Sequence, residues 1–161
     1  MPKVPRKPEM TVDQIVEDCR ALGVVGERNL VIAIYLVGTS RLLHHPLSAI
    51  VQGASSSGKS FLVSKIASLF PPRQVIEATR MTPQALYHMR QIKHKFVVAG
   101  ERSRTQDDAS ADATAALRQL QSEGRIVKQI TEKDGDEFVT NQVEVEGPIA
   151  YVETTTLRPV R

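Results

Sequence analysis

Residues 53–60 read Gly53-Ala54-Ser55-Ser56-Ser57-Gly58-Lys59-Ser60, and this spacing constrains the fold more than anything else in the chain. An apolar run at 47–51 precedes it, and Phe61, Leu62, Ile66 and Leu69 follow at helical spacing. The pattern predicts a buried strand, a tight loop, and a helix over 59–69 with those four residues turned inward. A loop that wraps back into a helix N-terminus converges several amide N–H groups on one point, and the helix dipole favours an anion there. Gly53 and Gly58 allow backbone angles and close approaches that a side chain blocks. Lys59 brings a full charge to β- and γ-phosphate oxygens, and the hydroxyl of Ser60 is a ligand for Mg²⁺. Ser55, Ser56 and Ser57 are small enough to leave the loop open. With Phe61 at its edge, this segment is the candidate cradle for a nucleotide.

Elements on either side set the fold class. Thr11 with Gln14 three residues on forms a capping-box pattern, and Val12, Ile15, Val16 and Cys19 recur at helical spacing. A second helix is expected over 27–43, largely buried through Leu30, Ile34, Val37 and Leu42. It ends before His44-His45-Pro46, which reads as a solvated loop rather than a metal site. Strands are expected at 74–78, 95–100 and 149–154, with short helices at 83–90 and 111–121 and a polar loop at 107–110. Residues 125–130 and 137–145 alternate like the arms of a β-hairpin around Lys133-Asp134-Gly135-Asp136. Strands alternating with helices predict an α/β three-layer sandwich around a mostly parallel sheet, with N-terminal helices and an inserted hairpin. Residues 1–10, with three prolines and three basic residues, read as a flexible tail before a core at 11–161.

Composition removes several classes. At 161 residues and 41% hydrophobic, the chain supports one cored domain. A single cysteine, Cys19, excludes a disulfide framework and a Cys-rich zinc site within it. No apolar run reaches the roughly 18 residues of a membrane span, and the basic start has no apolar stretch behind it, so the expected compartment is cytoplasmic. A net charge of +3, with 4% aromatic residues and no tryptophan, provides neither a strong duplex-binding stripe nor a base-stacking platform.

Hydrolysis of a nucleoside triphosphate also needs an acid near the magnesium and the attacking water, expected on a strand beside that of the loop. Phe96-Val97-Val98-Ala99-Gly100-Glu101 has this form, with Gly100 where an Asp is usual. Glu101 is the candidate to polarise water or to hold Mg²⁺. Thr154-Thr155-Thr156 ends the last strand, and Thr155 is the candidate hydroxyl for the γ-phosphate or the water. The catalytic set expected is therefore Lys59, Glu101 and Thr155. Arg102 and Arg104 follow the acid closely. On the hairpin, Arg125 and Lys128 are the candidate nucleic-acid contacts, and three residues of separation places them on opposite faces of a regular strand.

The order of phosphate loop, acidic strand end, helix with hairpin and polar-tipped strand resembles an AAA+-type ATPase core. Residues 54–60, Met81-Thr82-Pro83-Gln84-Ala85-Leu86-Tyr87, Leu120-Gln121-Ser122-Glu123-Gly124 and Val145-Glu146-Gly147-Pro148, with the three threonines, resemble the helicase-like ATPase region of bacterial DNA primase-like proteins that carry a CHC-type zinc finger elsewhere. The likeness spans about residues 20–157. It implies a P-loop NTPase fold, ATP rather than another nucleotide, and partners among single-stranded DNA, replication proteins and further copies of the chain. It also implies an arginine finger and a helical lid downstream, which residues 11–161 do not contain. Two functions follow as expectations: ATP hydrolysis coupled to DNA replication, or an ATP-binding regulatory or assembly module with little turnover. A small-molecule kinase fits less well, because no lid-like arginine cluster follows the core.

Overall fold

The computed structural model describes residues 10–78, 91–101, 108–134 and 137–156. Along the chain these form α1 (Val12–Ala21), α2 (Arg28–Ser40), β1 (Ser48–Gln52), α3 (Lys59–Ala67), a 3₁₀ turn (Pro72–Gln74), β2 (Val75–Ala78), β3 (Phe96–Glu101), α4 (Asp108–Glu123), β4 (Arg125–Asp134), β5 (Glu137–Glu146) and β6 (Ala150–Thr155). Four parallel strands in the order β1-β6-β3-β2 form the main sheet. The expected tail at 1–9, helix at 83–90, Arg102, Arg104 and hairpin tip at 135–136 lie outside the described residues. Among the described residues no helix is long and apolar enough to cross a membrane.

Alternation along the strands splits the core in two. Val51, Phe96, Val98, Ala150 and Val152 face α2 and α3, with Ile15, Val16 and Cys19 of α1 packed into the same cluster. Val97, Ala99, Ile149 and Tyr151 face Ala116, Leu117 and Leu120 of α4, joined by Ile126 and Val145 from the base of the hairpin. The chain is thus an α/β sandwich with helices on both faces, as the alternation of elements predicts. The capping box forms as expected: Gln14 N–H donates to Thr11 Oγ1 at 3.3 Å, and Thr11 N–H to Gln14 Oε1 at 2.8 Å. Burial of Cys19, aided by Asp18, pushes its thiol pKa above the ordinary 9.0. His44 and His45 are exposed, and no metal-holding cluster occurs among the described residues.

Several boundaries and faces differ from expectation; α3, for one, ends at Ala67 rather than 69, and β4 runs on to Asp134 rather than 130. β1 is an edge strand on which only Val51 is buried, not a strand covered on both faces, because α4 lies over β6 and β3 and leaves Ile50 57% exposed. α2 stops at Ser40 rather than 43: Ser40 Oγ donates to Val37 O at 2.6 Å and accepts from Leu47 N–H at 2.8 Å, which turns the chain toward β1 and leaves Leu42 exposed. α4 begins at Asp108, inside the expected polar loop, where an acid and alanines suit a helix start. Phe61 points outward instead of into the core; the inward positions of α3 are Leu62, Val63, Ile66 and Ala67.

Candidate functional site

The loop between β1 and α3 opens above the carboxyl ends of the strands, where parallel α/β sheets bind ligands. Its backbone turns through two left-handed residues, Ser56 at φ 58° and Gly58 at φ 81°. Gly58 caps α3, and no side chain caps that helix. The first helical bond runs from Leu62 N–H to Gly58 O at 2.9 Å, so the amides of Lys59, Ser60 and Phe61 come before it and face the loop end. A Cβ on Gly53 would sit 3.1 Å from Ser57 Oγ and 3.3 Å from Lys59 Cδ, which accounts for glycine at the loop's first position.

Lys59 folds over this loop. Its ammonium donates to Gly53 O at 2.8 Å, Ala54 O at 2.5 Å and Ser57 Oγ at 3.4 Å. The loop is tied to the sheet by Gly53 N–H, which donates to Thr155 O at 3.2 Å. The result is a cleft of about 280 Å³ lined by residues 55–61 with Thr154 and Thr156. Lys59 is the one charged side chain among the described residues lining it.

The three threonines separate by strand alternation. Thr154 and Thr156 line the cleft; Thr155, the hydroxyl expected from the sequence, does not, and contributes its carbonyl instead. Thr154 is 2% exposed, and its Oγ1 has no hydrogen-bond partner among the described residues. A buried hydroxyl without a partner costs about 1–3 kcal/mol, which a polar group entering the cleft would offset. Only the strand register, not the composition of Thr154-Thr155-Thr156, distinguishes it.

Glu101 ends β3 and is in register with Thr154 of β6. Contrary to expectation, the acid strand is not beside the loop strand: β6 lies between them, so β1 and β3 are about 10 Å apart at two inter-strand spacings. Phe61, half exposed at 49%, lies at the cleft edge with the Lys65 ammonium 5.4 Å from its ring centre. The hydroxyl of Ser60 is at the exposed start of α3. Cleft donors of this kind, amides and one ammonium with hydroxyls and no carboxylate in the lining, suit a polyanion, and the Ser60 hydroxyl is a hard oxygen of the kind Mg²⁺ takes.

Arg125 and Lys128 lie on the β4–β5 ribbon and are not part of the lining of this cleft. The ten-residue arms pair from Arg125↔Glu146 to Asp134↔Glu137 without a bulge, which places the two bases on opposite faces. Arg125 lies 3.9 Å from Glu144. Across 125–146 the sequence has three basic and six acidic residues.

No protein-family model matches the chain, and the search of curated proteins finds no match either.

Proposed function

We propose that the chain is an ATP-binding module of the P-loop NTPase class, with an AAA+-type core, that takes ATP with Mg²⁺ in the cleft between the β1–α3 loop and the tip of β6. The observation that carries this reading is the Thr154 hydroxyl, without a partner among the described residues and buried in the same cleft as the Lys59 ammonium and the start of α3, which no side chain caps. In this assignment the loop amides and Lys59 hold the phosphates, and Thr154 accepts or donates at the terminal one. Ser60 and Glu101 hold the metal, and Phe61 flanks the nucleotide. Mg²⁺, when bound, neutralises the β- and γ-phosphate charge and so favours attack by water. Titration with ATP, comparing the wild-type chain with Lys59→Ala, tests the assignment; equal affinity in two folded proteins would remove it.

Between a DNA motor and a regulatory or assembly module, the ribbon favours the second. A surface with six acids against three bases repels a phosphate backbone, and Arg125 and Lys128 lie on opposite faces of it. The single acid at the β3 tip, with Gly100 before it, is also in keeping with slow turnover.

A further inference from the structure

On the sheet face that carries α4, a groove of about 220 Å³ lies between that helix and β1. Residues 48–50 of β1, Tyr151 and Glu153 of β6, and Leu117 and Arg118 of α4 line it. We infer that this groove is a docking site for an extended segment of a partner protein. The segment pairs with the open edge of β1 and lays one lysine or arginine side chain against the buried carboxylate of Glu153. The site is on the opposite sheet face from Thr154 and α3, and it does not rest on the nucleotide reading.

Charge and backbone both point to that occupant. Glu153 is 5% exposed, and its Oε2 accepts from the Tyr151 hydroxyl at 3.0 Å. A carboxylate held away from water is costly, and a cation brought into the groove offsets that cost. The backbone of β1 is open beside it. Tyr151 N–H donates to Leu47 O at 3.4 Å, and Gly53 N–H donates to Thr155 O at 3.2 Å. Successive residues of a parallel strand turn their N–H and C=O to alternate sides. The odd positions of β1 therefore face β6, and Ser48 and Ile50 turn their backbone groups outward. Native edges are commonly blunted by charge, proline or a bulge. Ser48-Ala49-Ile50-Val51 has no charge and no proline, its register with β6 is regular, and Ile50 is largely exposed. Dimensions select the side chain. A strand added to β1 would lie two inter-strand spacings, about 10 Å, from β6, a reach at which lysine and arginine still deliver a charge. The groove is smaller than the roughly 300–1,000 Å³ of a small-molecule pocket and suits a single side chain. Main-chain pairing at an edge with a pocket for an alternate side chain is the arrangement by which sheets capture extended peptides.

The test is fluorescence anisotropy of the whole chain with a labelled eight-residue peptide of alternating valine and threonine that carries one central lysine. Replacing that lysine by norleucine keeps the stem and removes the charge, and should weaken binding about tenfold, the worth of one charge-assisted hydrogen bond. Glu153→Gln should weaken the lysine peptide by the same factor and leave the norleucine peptide unchanged, a pattern that loss of fold does not produce. Arg118→Ala, at an exposed position, removes a competing cation and should tighten the lysine peptide alone. A lysine peptide with alternate amides N-methylated should not bind, because it cannot pair with a strand edge. The proposal is overturned by absence of binding, by equal affinity for the lysine and norleucine peptides, by a Glu153→Gln protein that binds the lysine peptide like wild type, or by undiminished binding of the methylated peptide. Sedimentation equilibrium of the free chain should show a monomer. A dimer that Glu153→Gln weakens would place a second copy in the groove and overturn the partner-protein assignment.

Discussion

The ammonium of Lys59 lies 2.8 Å from the carbonyl oxygen of Gly53, six residues earlier, so the cation closes the loop from which it springs. Its bonds, to two backbone carbonyls and the Ser57 hydroxyl, lie within the loop and can be exchanged for phosphate oxygens without disturbing the core.

Lys59→Ala should therefore weaken ATP binding far more than it destabilises the fold. A charge-assisted hydrogen bond is worth about 1.5–3 kcal/mol, which corresponds to a loss of about 10- to 100-fold in affinity. Calorimetric titration reads the affinity and a thermal melt the stability. A large fall in melting temperature with unchanged affinity would make Lys59 a structural residue only.

Thr154→Val should produce opposite signs in the two measurements. Replacing an orphaned hydroxyl by a methyl of the same shape removes a desolvation cost of up to about 1–3 kcal/mol and should raise the melting temperature. The same change should weaken nucleotide binding or slow turnover. Thr155→Val, outside the cleft lining, should leave nucleotide affinity unchanged.

How far the chain can be read without its structure depends on whether a signal is local. The loop at 53–60 and the Thr11–Gln14 capping box are local hydrogen-bonding patterns, and both form where the residues put them. Strand burial is not local: Leu47 to Val51 has the composition of a strand covered twice, but the strand order leaves β1 at an edge and α4 does not reach it. Choosing Thr154 over Thr155 needs the phase of β6 against its neighbours, and the register shift between Ala99 and Glu101 exists only as a mismatch between two strands. Phe61 misleads for a related reason. It fits the helical period of α3, yet that face meets solvent at the cleft edge.

Gly38→Ala should be among the costlier one-carbon changes in the protein. A Cβ there would come within 2.6 Å of Phe70 Cζ and 3.0 Å of Phe96 Cδ1, two rings already packed edge to face with centroids 5.2 Å apart. Overpacking of this kind costs about 1–3 kcal/mol, or several degrees in melting temperature. A chemical-denaturation midpoint equal to wild type would show that α2 shifts freely from the sheet.

Cys19 gives the fold a dependence on alkaline pH. Burial raises its thiol pKa above 9.0, so the folded state holds the proton more tightly than the unfolded state does. Its contribution is complete below about pH 9 and is lost as pH rises through the folded value. Melting temperatures from pH 8 to pH 10.5 should fall less steeply in Cys19→Ala than in wild type, after allowing for the lower starting stability of the variant. Parallel curves would mean that the thiol does not titrate with unfolding.

The ribbon separates the two functional readings most directly. If it tracks single-stranded DNA, each base that touches a phosphate should add about 0.7 to the slope of log affinity against log salt. Arg125 and Lys128 lie on opposite faces, so at most one of them serves any one strand, and Arg125 already has Glu144 at 3.9 Å. The acids outnumber the bases six to three over 125–146, and their repulsion is least screened at low ionic strength, where a DNA contact should be tightest. The expected result is therefore that Arg125→Ala and Lys128→Ala leave binding to a labelled single strand unchanged at low salt, in amount and in slope. A drop in slope of about 0.7 in either variant would establish a ribbon–phosphate contact and return the DNA motor to first place.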